Sequence, residues 1–113
     1  MDKGIEIAYD RFIKRLELNG YSLSKPIEWF VIFSKKTQAQ MVMWHLQQFN
    51  TITNQQAHEI YGIRHCPSVI RDLRDMFREK QAPYKIVNVT IDGFNRWGKK
   101  TKYDKYTLEE LLQ

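Results

Sequence analysis

Apolar residues recur at three- and four-residue steps through the first segment, where Ile5, Ala8, Phe12 and Leu16 share one face. That spacing predicts an amphipathic helix from Ile5 to Asn19, with Gly20 as the residue that ends it. Pro26 then breaks any helical continuation. Trp29-Phe30-Val31-Ile32-Phe33 is a short apolar run bounded by polar residues. It fits either a buried strand or the start of a helix, and periodicity does not decide between them.

The central third carries clearer signals. Thr37-Gln-Ala-Gln40 has the Thr-x-x-Gln form of a capping box. It predicts a helix from Gln38 to Phe49 with Met41, Trp44, His45 and Gln48 on one face. Thr53-Asn-Gln-Gln56 repeats the signature and opens a short helix through Ala57 and Ile60 to Tyr61, closed by Gly62. Ile63-Arg64-His65-Cys66 leads to a third helix that starts at Pro67, where the missing N–H costs nothing, and runs to Lys80. Its inward positions are Val69, Ile70, Leu73, Met76 and Phe77. Its outward positions are Ser68, Arg71, Arg74, Asp75 and Arg78. After Pro83 the pattern changes to β-branched: Lys85–Ile91 and Thr101–Thr107 read as strands around a glycine-containing loop, Asp92–Lys100. Thr107-Leu-Glu-Glu110 is compatible with a final helical turn or a frayed tail.

These elements predict an α+β fold: a three-helix core and a two-stranded β-hairpin over residues 35–113, preceded by an N-terminal extension, residues 1–34, made of an amphipathic helix and the short apolar segment. The length of 113 residues suits one compact domain with such an extension. A hydrophobic share of 42% is enough for a packed core and argues against disorder. No stretch is long and apolar enough for a membrane span, and the N-terminus lacks the apolar core of a signal peptide, so a cytoplasmic protein without membrane contact is expected. Cys66 is the one cysteine, which fits a reducing compartment.

Charge changes the picture more than composition does. The net charge is +5, yet residues 1–34 hold five basic and five acidic side chains, so the whole excess falls in residues 35–113. Lys85, Arg96, Lys99, Lys100, Lys102 and Lys105 face only Asp92 and Asp104 across the hairpin segment. A cationic excess concentrated there suggests a polyanionic partner.

Helices followed by a basic hairpin form the element order of a winged helix-turn-helix. The major groove of duplex DNA admits one α-helix, the preceding helix braces it, and a neighbouring hairpin reaches phosphates or the minor groove. The helix from Pro67 to Lys80 takes the recognition role, with Arg64, His65, Ser68, Arg71 and Arg74 as candidate contacts. The hairpin adds Asn95, Arg96, Trp97, Lys99, Lys100 and Lys102. Each group has an ordinary reading too. Arg71, Arg74 and Arg78 suit a solvated helix face paired with Asp72, Asp75 and Glu79. The lysines suit a solubilising sheet edge. Trp97 suits either a base-step wedge or hairpin packing.

From Thr37 to Leu108 the chain also resembles the winged helix-turn-helix domains common in bacteriophage and prophage DNA-binding proteins. The resemblance rests on Ile52-Thr53, Ala57, Tyr61-Gly62-Ile63, Ile70-Arg71-Asp72-Leu73-Arg74, Asn95-Arg96-Trp97-Gly98-Lys99 and Tyr106-Thr107-Leu108. It departs at His65-Cys66-Pro67-Ser68, where an Arg- and Leu-rich helix start is expected. The resemblance implies double-stranded DNA binding and a phage or mobile-element origin, as a transcriptional regulator or an excision or replication accessory factor.

The competing reading is a phage-encoded protein-interaction module that inhibits a host machine such as a nucleic-acid-guided (CRISPR) defence complex. Single-strand or RNA binding through Trp97 and nearby tyrosines is a third. Ile5–Leu16 or Trp29–Phe33 are candidate contacts for a homodimer. His58, His65 and Cys66 lack paired metal-ligand spacing, and no nucleophile-and-base motif is present, so neither a metal, a cofactor, a small-molecule substrate nor an enzymatic activity is expected.

Overall fold

A computed structural model describes residues 3–34 and 36–111. Among them the chain forms five helices and one three-stranded antiparallel sheet, an α+β architecture. The elements run α1 (Lys3–Leu18), α2 (Pro26–Phe33), α3 (Gln38–Phe49), β1 (Thr51–Thr53), α4 (Asn54–Tyr61), α5 (Cys66–Glu79), β2 (Tyr84–Phe94) and β3 (Lys100–Glu110).

Local chemistry sets most boundaries. Gly20, at φ 79°, ends α1 in a Schellman motif: Tyr21 N–H donates to the Leu16 carbonyl at 2.9 Å and Gly20 N–H to Glu17 at 3.0 Å. Both capping boxes form. Thr37 and Gln40 exchange bonds of 3.2 and 2.9 Å, and Thr53 and Gln56 of 3.1 and 3.0 Å. Asn50 closes α3 in the left-handed region, and Gly62 does the same for α4. The helix α5 begins one residue before the expected start, with His65 as N-cap and Pro67 at its second position.

One open choice is decided and three expectations change. The Trp29–Phe33 run is helix, because Pro26 opens α2 and Phe33 turns into a shared aromatic core. The hairpin is not a two-stranded unit: Thr51–Thr53 adds a third strand against Lys105–Thr107, with Ile52 fully buried. The loop between the long strands is shorter than expected, since pairing continues to Phe94 opposite Lys100. Thr107–Glu110 is strand, not a helical turn, because Tyr84–Val87 pairs with it to the end.

The sheet order is β1-β3-β2. One core cluster joins Val42 and Leu46 of α3, Ile52, Ala57, the inward face of α5, Ile86 and Tyr106. A second holds Phe12, Leu16, Phe33, Trp44 and Ile60, and fastens α1 and α2 to α3 and α4. Between them lies a part-buried polar chain around the buried His45. Gln56 Nε2 donates to the Tyr21 hydroxyl at 2.8 Å, and that oxygen lies 3.3 Å from His45 Nε2. The His45 Nδ1 atom lies 2.7 Å from the Tyr61 hydroxyl. Of the segments offered for a dimer contact, Phe12, Leu16 and Phe33 are thus buried within one chain, while Ile5, Ile7 and Val31 stay about half exposed.

Candidate nucleic-acid interface

Beyond the Thr53–Lys105 pair the sheet narrows to two strands, Thr90–Phe94 against Lys100–Asp104. Alternation along a strand sends even-numbered β2 residues to one face and odd-numbered ones to the other. The even face is the core face at its base, through Ile86 and Tyr106. It then turns polar, with Asn88, Thr90, Asp92 and Asp104, and ends on Phe94, Lys100 and Lys102. The Asp104 carboxylate accepts from Thr90 Oγ1 at 3.3 Å and from Asn88 Nδ2 at 3.5 Å. The odd face carries Val87, Val89, Ile91 and Tyr103 among Thr101, Lys105 and Thr107, and none of those four apolar side chains belongs to either core cluster. On that face the Tyr103 ring lies over Gly93, where an added Cβ would meet it at 3.2 Å.

The tip is a built turn. Asn95 accepts on its carbonyl from Gly98 N–H at 3.0 Å and donates its own N–H to the Lys99 carbonyl at 2.9 Å. Its side-chain Oδ1 accepts from Trp97 N–H at 2.9 Å and Lys99 N–H at 3.1 Å. Gly98 sits at φ 76°, which completes a type I turn with a glycine bulge. Arg96 and Trp97 occupy the two central positions of the turn, and Trp97 is 79% exposed, so it does not fold back as hairpin packing. Asn95, expected among the contact residues, shapes the turn that presents them.

The N-terminal end of α5 lies at the root of this arm, since Cys66 shares a cluster with Tyr106, one position from Lys105. There Arg64, His65 and Arg71 are exposed. His65 Nδ1 accepts from Ser68 N–H at 3.3 Å and lies 2.5 Å from the Ser68 hydroxyl. Acceptance at Nδ1 leaves Nε2 as the donor of the neutral ring, while the Ser68 hydroxyl is held by His65. Arg71 stands near Asp72 at 3.9 Å, with both side chains largely exposed. This pair is loose, in high dielectric, and leaves the guanidinium available.

Arg74 is placed elsewhere. Its Nε and Nη2 donate to the Ile86 carbonyl at 3.1 and 2.7 Å, and Nη2 also to Asn88 Oδ1 at 2.5 Å. Leu108, the partner of Ile86, donates its N–H away from β2, to Asn50. The Ile86–Leu108 pair is therefore a non-hydrogen-bonded one, and the Ile86 carbonyl faces the open edge of the sheet. Arg74 covers that edge. Arg78 is paired with Asp75, and Lys85 with Glu109 at 3.5 Å.

The arrangement brings Arg64, His65 and Arg71 beside an arm carrying Arg96, Trp97, Lys99, Lys100 and Lys102. It can meet a polyanion with cations at two separated points and present a ring donor at the first of them. Phe94, 71% exposed, falls inside the expected loop and so escapes sequence reading; the strand continued three residues further would find it. Burial pushes the Cys66 thiol up to about 11, which keeps it protonated and unsuited to ligation or nucleophilic attack. No helix among the described residues is long and apolar enough to cross a membrane. Comparison with protein-family models, with curated proteins and with solved structures finds no match for this chain.

Proposed function

We propose that this chain is a winged helix-turn-helix protein that binds double-stranded DNA, acting as a phage or prophage transcriptional regulator or as an excision or replication accessory factor. In this reading α3, α4 and α5 are the three-helix core, α5 enters the major groove by its N-terminal end, and the β2–β3 arm is the wing. The observation that carries it is the exposed N-terminus of α5 at the root of a projecting hairpin with a structured, cationic tip. Arg96, Lys99, Lys100 and Lys102 supply the salt-dependent affinity, while Arg64, His65 and Arg71 face the groove. The steric mechanism needs no catalytic group.

The test is binding to random-sequence duplex across a salt series, comparing the natural chain with Arg96→Ala/Lys99→Ala/Lys100→Ala. The logarithm of affinity should fall linearly with the logarithm of salt. The triple variant should show a shallower slope, by roughly 0.9 for each phosphate it no longer neutralises. Folded protein that binds no duplex at low salt removes this reading.

One observation favours a second reading, a protein-interaction module directed at a host protein. On the odd face of the hairpin Val89 and Tyr103 are each nearly half exposed, apolar side chains that no core cluster uses. One-to-one capture of a host protein without duplex affinity, abolished in Val89→Lys, supports that alternative.

A further inference from the structure

We infer that the hairpin tip is an aromatic wedge that kinks the duplex, so that the protein bends DNA as well as covering it. This rests on the duplex-binding reading above.

Two large rings, Phe94 and Trp97, stand 71% and 79% exposed at the end of the arm. Water contact with so much apolar area is unfavourable, and a terminal pair of this kind marks a contact surface. Their exposure is imposed by a defined backbone: Asn95 binds the turn through four hydrogen bonds, two of them to its side-chain oxygen. Arg96 lies beside Trp97 at the centre of the turn, and Lys99 and Lys100 follow it. Aromatic planes flanked by cations match a base step, whose apolar stacking faces lie between two phosphate rows.

The reach of the arm fits the neighbouring minor groove. From Val89, at its root, to Phe94 the strand covers about 17 Å at ~3.4 Å per residue. The minor groove next to an occupied major groove lies half a helical turn away, also about 17 Å. With α5 seated by its N-terminal end, Phe94 and Trp97 arrive at that groove. Wedged side chains there unstack a step and bend the duplex toward its major groove, by roughly 20–90°.

The experiment uses the full chain and a duplex of about 30 base pairs with a central TA step, which unstacks readily, carrying a fluorescent donor and acceptor at its ends. The natural protein should raise energy transfer on binding. Phe94→Ala/Trp97→Ala should bind with an unchanged salt slope and leave the transfer at its free-duplex value, while Trp97→Phe keeps most of the rise. Far-ultraviolet circular dichroism checks that both variants are folded. Binding with no rise, or an equal rise in the double variant, overturns the wedge but leaves duplex binding standing. Absence of duplex binding by the natural protein overturns both. Preference for a single-stranded oligonucleotide, or for anionic phosphatidylserine vesicles, assigns the rings to stacking or to a membrane surface and overturns the wedge.

Discussion

His45 has no exposed surface, and its ring nitrogens are both taken up by tyrosine hydroxyls. Burial lowers its pKa to about 4, against 6.5 in the unfolded chain. Between those values the unfolded chain takes up a proton that the folded chain refuses, so stability falls as pH drops from about 6.5 to about 4, then levels off. The slope approaches about 1.4 kcal/mol per pH unit. Thermal unfolding across that window should show it, and His45→Gln should flatten the profile even if it lowers stability at neutral pH. At the C-terminal end of α5, Gln81 holds φ 50° as the left-handed residue of a Schellman motif, with Ala82 N–H on the Phe77 carbonyl at 2.9 Å. Glycine relieves that strain, so Gln81→Gly should raise unfolding stability by about 1 kcal/mol in a urea titration. Cys66, buried and held as a thiol, should resist an aromatic disulfide reagent at mildly alkaline pH until the chain is unfolded.

At the scale of elements, every helix but α2 was legible, most of them because their ends are written in side chains: two complete capping boxes and glycines at φ 79° and 71°. The inward set of α5 follows from periodicity alone. What escapes lacks either signal. Three residues of β1 are too few for any period, although Ile52 is a core residue. Thr107-x-x-Glu110 imitates a cap, yet β2 pairs with it. Periodicity puts Arg74 off the apolar stripe, but the strand it binds is brought alongside only by the tertiary fold. Within the hairpin, Asn95 unites four turn bonds, two of them to its side chain, so Asn95→Ala should leave the thermal midpoint within a few degrees while accelerating amide hydrogen exchange at Trp97 and Lys99 about tenfold or more.

For the molecule as a whole, the N-terminal helices are part of the structure they precede. Phe12, Leu16 and Phe33 cover Trp44 and Ile60, and Tyr21 completes the bonding of His45. A chain beginning at Thr37 should therefore bind an apolar dye and lose its cooperative unfolding transition, whereas a mere appendage would leave both unchanged. Charge is organised on the same scale. Arg78 and Lys85 are met by carboxylates and Arg74 by the sheet, while Arg64 and Arg71 at the α5 N-terminus and Arg96, Lys99, Lys100 and Lys102 on the arm remain open to a polyanion. The placement of Arg74 has a consequence for the company the protein keeps in solution. An eleven-residue outer strand bearing two charges, Lys85 and Asp92, is the template from which a sheet grows chain upon chain into a fibre. By seating a guanidinium on the Ile86 carbonyl, α5 takes an outward acceptor near the base of that template, and an incoming strand would have to dislodge a cation before it could register there.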